Sequence, residues 1–468
     1  MSIVICGVVP HPPIAVPEVG KEEANQVSNT QRAFLKLAEQ IKASGAETMV
    51  IISPHSPLFS DAIVVNMAPR LKGGLAKFGA PQVTFDYSNN AQLVREIINQ
   101  CGKLNLVAAE LDQLLAKEFQ VDLALDHGVT VPLYFMRQAG LELPLVVTSM
   151  AMFSFEQLYR FGIAVDKAAE VNKQKVALIA SADLSHRLKP GAPAGYEPSA
   201  AEFDRELVQL VASADAAGLV QMDYERAERA GECGLRSIIM MMGALEGKAV
   251  DSEVLCYEGP FGVGYMVARL TPGAPDASRA ILGQVGKQRA ERLKARLNAE
   301  SFIVKVARET LEHYVLGKSA PTYGDQEIPA EFKGKGATFV TIKKHGHLRG
   351  CIGSVFPQKD NIVAEVQQNA ISAGIHDPRF YPVEPDELEE LTYSVDVLTA
   401  PEPVASIEEL DPKRYGVIVR KDHRSGLLLP DLEGINTAEH QVSIAKEKAG
   451  IGADEQVTLE RFEVVRYK

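Results

Sequence analysis

The chain has 468 residues, of which 46% are apolar and 24% charged, and its formal net charge is −12. That length exceeds one ordinary domain, so roughly two or three are expected. The acidic balance and the lack of a long basic run argue against sequence-independent binding to nucleic acid or to an anionic membrane, since both need a positive footprint.

No basic region precedes the short apolar run of "MSIVICGVVPHPP", so it reads as a first strand and not as a signal peptide. "EEANQVSNTQRAFLKLAEQIKAS" carries Phe34, Leu37, Ala38 and Ile41 at helical spacing, with Gly45 as a stop signal. "TMVIIS" is the next strand, and further strands are expected at "LPLVVTSM", "KVALIASA", "DSEVLCYE" and "GVGYMVARL". Helices are expected near 91–101, 155–171, 198–213 and 235–245. The run "VDLALDHG" reads equally as a strand or a helix end. Strands alternating with helices predict an α/β domain over 1–271, a central sheet flanked by helices.

"LTPGAPDASR" breaks the pattern with two prolines, a glycine and small polar residues, which predicts a linker at 272–279. The remainder, 280–468, reads as a mixed α+β domain. It opens on a long amphipathic helical region and contains a hairpin in "ATFVTIKKHGHLRGCIG" that turns near His345 and Gly346. No segment reaches the length of a membrane span. The cysteines Cys6, Cys101, Cys233, Cys256 and Cys351 form no CxxC pair and no zinc spacing, which points to reduced thiols in the cytoplasm.

The first domain has four histidines, His11, His55, His127 and His186, and each follows an apolar run. In an open α/β sheet, ligands bind beyond the carboxyl ends of the strands. If the runs are neighbouring strands, the four rings share one rim. Imidazole serves as a metal ligand and as an acid or base near neutral pH, and two histidines with one carboxylate form the triad that holds Fe(II). Prolines on both sides of His11, and Pro54 and Pro57 around His55, stiffen the chain for ligation. His127 and His186 are then free for proton transfer. Asp61, Asp126, Asp183 and Glu232 are the candidate carboxylates, with Asp126 and Asp183 read as supports for their neighbouring histidines. In "GECGLRS", Glu232 and Cys233 open a helix, and either could be a metal ligand.

The motifs "PHPP", "SPHSP", "DHG" and "LSH", in this order, resemble the class III extradiol dioxygenase family and its MEMO-type relatives over about 2–270. The resemblance implies Fe(II) at His11, His55 and Glu232, a catalytic base at His186 and a second active-site histidine at His127. The implied substrates are a small aromatic diol and O2. MEMO-type proteins carry a cysteine near the carboxylate position, which makes Cys233 the alternative ligand and copper or another divalent metal the alternative ion. That variant implies a metal-binding redox or modification protein without catechol cleavage.

In the second domain, "HLRGCIGSVFP", "DPRFYPV" and "LLLPDLEGINTAEHQVSIAKEKAG" resemble the AMMECR family over about 286–468. The resemblance implies an accessory α+β domain and a radical-SAM protein as partner, the grouping called AmmeMemoRadiSam. Self-association into a homo-oligomer is a further expectation. Cys351, between glycines, is a candidate nucleophile or redox thiol activated by Arg349. A small buried residue at a tight strand is the plainer reading. His376 and His440 could complete a cysteine–histidine pair, Arg379 could pair with an acidic neighbour, and His345 and His347 are expected to be solvated.

Overall fold

Strand β1 (Ile3–Val9) opens the chain in the computed structural model, and nine more strands follow it in the first unit. These are β2 (Thr48–Ser53), β3 (Ile63–Asn66), β4 (Arg70–Leu75), β5 (Ala80–Ser88), β6 (Ala108–Leu111), β7 (Leu145–Ser149), β8 (Val176–Ser181), β9 (Lys248–Glu258) and β10 (Tyr265–Pro275). The structure describes residues 2–354, 356–432 and 434–468. Val355 and Glu433, within two of the blocks noted above, lie outside the described residues.

Eight strands form one sheet in the order β6-β3-β7-β2-β8-β1-β10-β9, and β4 pairs β5 as a separate hairpin. The centre of the sheet is parallel: β2 pairs β7 and β8, and β8 pairs β1. Every residue of β2 and β8 is buried. Continuous apolar runs such as "MVII" are what a parallel strand covered on both faces requires. Alternate residues of β1 and β2 serve opposite cores. Cys6, Val8, Val50 and Ile52 pack with the helices Phe155–Val171 and Leu235–Gly243. Val9, Met49 and Ile51 pack with Ser28–Ala43 and His127–Gln138. The result is a sheet between two helical layers, the α/β class expected.

One expectation changes here. β10 continues through Pro275, with Pro272 opposite Val250 and Pro275 opposite Lys248, so half of the segment read as a linker is strand. Prolines are tolerated there because they sit at the end of a long ladder beside register shifts. The division into compact units, Met1–Ala290 and Glu291–Lys468, falls inside the helix Leu282–Ala299. Of the two readings open for "VDLALDHG", the structure takes the helix end at His127. That histidine is the first residue of the helix His127–Gln138, with Asp126 at the N-cap position.

The second unit holds β11 (Thr338–Lys344), β12 (His347–Gly353), β13 (Leu391–Leu398), β14 (Glu402–Val404), β15 (Gly416–Lys421), β16 (Arg424–Leu428), β17 (Thr458–Phe462) and β18 (Val464–Tyr467). They form two antiparallel sheets, β12-β11-β13-β18 and β14-β17-β15-β16. The helices Phe302–Val315 and Ile362–Ile375 bury Val306, Leu311, Val366 and Ala370 against Val340, Ile342 and Val395. This is the α+β arrangement expected. His345 and Gly346 take the hairpin turn with φ of 51° and 83°.

Candidate metal centre

β1, β8 and β2 are neighbours and parallel, so their carboxyl ends open on one edge. His11 lies two residues beyond β1, His55 two beyond β2, and His186 five beyond β8. His11 is 1% exposed. Its backbone N–H donates to Asp183 Oδ1 at 2.7 Å, and its Nδ1 meets Ser181 Oγ at 2.9 Å. Ser181 Oγ donates its own proton to the Gly128 carbonyl at 2.5 Å. The serine can therefore only accept from His11, which places the ring proton on Nδ1 and leaves Nε2 a bare lone pair. That is the tautomer control expected behind a metal ligand.

Two groups approach this lone pair. His55 Nε2 stands 3.0 Å from His11 Nε2, and Cys233 Sγ stands 3.5 Å from it. The ligand atoms of His11, His55 and Cys233 all lie within 4.8 Å of one another. Metal bonds of about 2.0–2.3 Å to nitrogen and sulfur span the 3.0 and 3.5 Å separations. The donor set fits a borderline or soft transition ion.

Glu232, the first choice as third ligand, is engaged elsewhere. Its Oε2 accepts the Leu235 N–H at 2.6 Å at the start of the helix Leu235–Gly243. Burial pushes its carboxyl up, against the pull of the Leu235 N–H and the Arg236 guanidinium. Arg236 donates to the Phe153 carbonyl and lies over the Phe155 and Tyr224 rings. Adjacent residues at a helix start point in different directions, and here the thiol faces the histidines. Of the other carboxylates, Asp61 is exposed. Asp126 accepts from Ser53 Oγ and Ser56 Oγ, both at 2.7 Å, and so braces the "SPHS" turn from the other side of the site. Gly128 makes this possible, because a Cβ there would meet Ser53 Oγ at 2.3 Å.

The rings crowd one another. His55 and His127 stack with centroids 4.2 Å apart, and His11 meets His127 edge-on at 5.5 Å. Burial, then the charges of His127 and His186, hold His11 well below its usual value. His55 is open to solvent on one side. Loss of water on its crowded side, then His11 and His127, pushes it down to about 3. His127 is lowered by burial, partly offset by Asp126 and Asp183. These rings are neutral at pH 7, the form that ligates metal. Burial, then Asp183 and Glu232, raises the Cys233 thiol well above its usual range. A bound cation would reverse that preference, because a coordinating thiol is deprotonated.

His186 sits in a clamped loop. Its N–H donates to the Ala230 carbonyl at 3.2 Å, and the preceding Ser185 N–H donates to Asp204 Oδ1 at 2.9 Å. Asp204 also accepts from Tyr257 at 2.8 Å, and burial pushes its carboxyl up to about 6 against those two bonds. Among the described residues, the buried His186 Nδ1 has no hydrogen-bond partner, a polar atom left for a ligand or water. The supports Ser181, Ser53, Ser56 and Asp204 were absent from the sequence reading. Ser181 and Ser53 close the strands "ALIAS" and "VIIS" that lead to histidines, the one signal that could have found them.

In the second unit, Cys351 Sγ meets Thr341 Oγ1 at 3.3 Å, and its N–H donates to Asp377 Oδ2 at 2.9 Å. Arg349 is held by other groups. That guanidinium donates to both oxygens of Glu387, at 3.1 and 2.8 Å, and to the Tyr381 carbonyl. Arg379 takes the place beside Cys351, paired with Asp377 and donating to the Cys351 carbonyl. His376 and His440 are exposed and are not among the partners of Cys351 shown by the structure. His345 is buried and 3.1 Å from Glu390 Oε2, against the expectation of a solvated ring.

An α/β sheet with imidazoles gathered beyond its carboxyl edge defines a class, and the chain belongs to the LigB family: residues 6–268 match the family of the catalytic LigB subunit of aromatic ring-opening dioxygenase. Residues 304–468 match the AMMECR1 family, so the chain is a fusion of the two. A protein of Clostridium acetobutylicum is 40% identical over 464 residues, 98% of each chain. A Thermotoga maritima protein is 52% identical over 169 residues, 35% of this chain and 96% of that one. Among solved structures, an uncharacterised Pyrococcus horikoshii protein matches at 30% identity, over 35% of this chain and 88% of that one, with a TM-score of 0.33. An uncharacterised Escherichia coli K12 protein matches at 14% identity, over 57% and 99%, with a TM-score of 0.41. Among the described residues, no helix is long and apolar enough to cross a membrane.

Proposed function

We propose that the first unit is a MEMO-like metal-dependent redox or modification protein whose ion is held by His11, His55 and Cys233. The observation that carries this reading is the convergence of two imidazole nitrogens and a thiol within 4.8 Å, with Glu232 engaged at its own helix. Thiolate with imidazole suits copper or another soft divalent ion better than the carboxylate-bearing triad of Fe(II) oxygenases. Such an ion supplies one-electron chemistry and Lewis acidity when bound. Ser181 sets the His11 tautomer, Asp126 braces His55 through Ser53 and Ser56, and the clamped loop presents His186 for proton transfer. A reducing compartment such as the cytoplasm keeps the Cys233 thiol available, and a radical-SAM partner and a homo-oligomer remain part of this proposal.

A second reading is Fe(II)-dependent opening of a catechol-type ring by O2, favoured by the LigB match and by the presence of His127 and His186 on the same rim. In it, His186 takes a hydroxyl proton and His127 supports developing negative charge, general acid–base help worth about 10²–10⁴-fold. Anaerobic loading with copper or with Fe(II), followed by oxygen uptake on a set of catechols, separates the two. Preferential copper binding with a thiolate charge-transfer band and no uptake supports the first reading. Stoichiometric iron with rapid uptake overturns it in favour of the second.

A further inference from the structure

A cavity of about 310 Å³ lies between the β4–β5 hairpin and the residues Glu142, Leu143 and Pro144 that lead into β7. β7 runs parallel to β2, so this is the amino edge of the sheet, and the histidines stand beyond the other edge. The helix His127–Gln138 joins the two places. His127 opens it at the metal centre, and Arg137, in its last turn, lines the cavity. Ten residues at the helical rise put them about 15 Å apart. The volume stands at the lower end of the range for small-molecule pockets, about 300–1,000 Å³.

Two positive and two negative side chains line it. Arg70 closes on Asp86, its Nε donating to Asp86 Oδ1 at 2.8 Å and its Nη2 to the Asp86 carbonyl at 2.9 Å. Arg137 and Glu142 are not matched in this way. Arg137 Nη1 donates to the Thr84 carbonyl at 2.8 Å, and its Cζ sits 4.3 Å from the centre of the Phe85 ring. These contacts fix the guanidinium and leave it further N–H donors. Glu142 is exposed, and among the described residues no ion pair engages either side chain. Tyr87 is 8% exposed, and among the described residues its hydroxyl has no hydrogen-bond partner. Burial, then Glu142, pushes that hydroxyl up to about 12 against the pull of Arg137, so it stays a protonated donor in the wall.

We propose that this cavity binds a small zwitterion of the α-amino acid class, with its carboxylate on Arg137 and its ammonium on Glu142. A simple anion would meet the Glu142 carboxylate unpaired, and a simple cation would meet the Arg137 guanidinium unpaired. A ligand with one charge of each sign gives both a partner. Leu143, Pro144 and the Phe85 ring supply apolar surface for a short side chain. The site stands apart from the metal centre and does not depend on which ion is held there.

The test is equilibrium dialysis of labelled L-leucine against the full chain, with 4-methylpentanoate and 3-methylbutylamine as competitors. Each competitor keeps the leucine tail and one of its two charges. L-leucine is expected to bind at millimolar concentration or below, and each competitor at least about tenfold more weakly. Arg137→Gln is expected to weaken L-leucine about tenfold. Glu142→Gln, at an exposed position where the fold tolerates it, is expected to weaken L-leucine about tenfold and to let 4-methylpentanoate compete as well as L-leucine itself. A native chain that retains no L-leucine overturns the site. Equal competition by 4-methylpentanoate on the native chain also overturns it, marking an anion site, as does undiminished L-leucine binding by Glu142→Gln.

Discussion

Cys233 and Cys351 stand in similar local sequence, Gly-Glu-Cys-Gly and Gly-Cys-Ile-Gly, and meet opposite surroundings. Cys233 reaches an imidazole from β1, more than two hundred residues earlier in the chain, and lies within reach of a second from the end of β2. Cys351 faces Thr341, its register partner on the adjacent strand β11. Its backbone is held by Asp377 and Arg379, and the nearby Arg349 is engaged by Glu387. A glycine-flanked thiol becomes a candidate ligand because of what the topology brings to it, and the flanking residues do not decide the matter.

The largest expected effect breaks this contrast if it is wrong. Cys233→Ala should lower metal affinity by about 10²-fold or more, while Cys351→Ala should leave it within about twofold; a metal titration of each variant by isothermal calorimetry checks both. Equal losses would mean that the two cysteines are not different in kind.

A smaller effect concerns acid. Burial alone would raise the Glu387 carboxyl, but hydrogen bonds from Arg349, the Glu384 N–H and Lys344 hold it down at about 2, against 4.5 in the free side chain. Because the folded value is depressed, its stabilisation is full above pH 4.5 and is lost as pH falls through about 2. The loss should be about 2 kcal/mol, and Glu387→Gln should flatten it. Urea unfolding of the full chain, followed by circular dichroism at pH 4.5 and near pH 2, measures the difference.

The smallest effect sharpens the choice between neighbours. Glu232→Gln should leave metal affinity within about twofold and cost the helix Leu235–Gly243 no more than about 1 kcal/mol. A larger loss of metal would return Glu232 to the ligand set. Metal titration and thermal unfolding of the same preparation read the two quantities separately.

Much of the first unit was legible because its central strands are apolar along their whole length, as in "MVIIS" and "VALIAS", and because the histidines follow them. The place of His127 stayed open between a strand and a helix end because "LALDHG" is too short for periodicity to arbitrate, and the N-cap position of Asp126 became visible only with the helix in place. The choice between Glu232 and Cys233 was not legible. Both are polar, adjacent and at a helix start, and the direction of each side chain depends on the backbone path from Gly231. In the second unit, the hairpin around His345 was legible from its turn, while the burial of that ring was not, because Glu390 reaches it from a distant segment.

The strand order β2-β8-β1 carries a consequence for how the protein is made. The three proposed ligands come from the end of β1, the end of β2 and the start of a helix that follows β8. Their sequence separations include 44 and 222 residues. A parallel sheet cannot close locally, and such distant pairings form late. During synthesis the first two histidines wait, without their third partner, until residue 233 has emerged and β8 has slotted between β2 and β1. A metal ion that needs all three donors is therefore captured only by a nearly finished domain. Its binding would then add to the stability of that finished form by mass action, and the ion would act as a check on completed assembly.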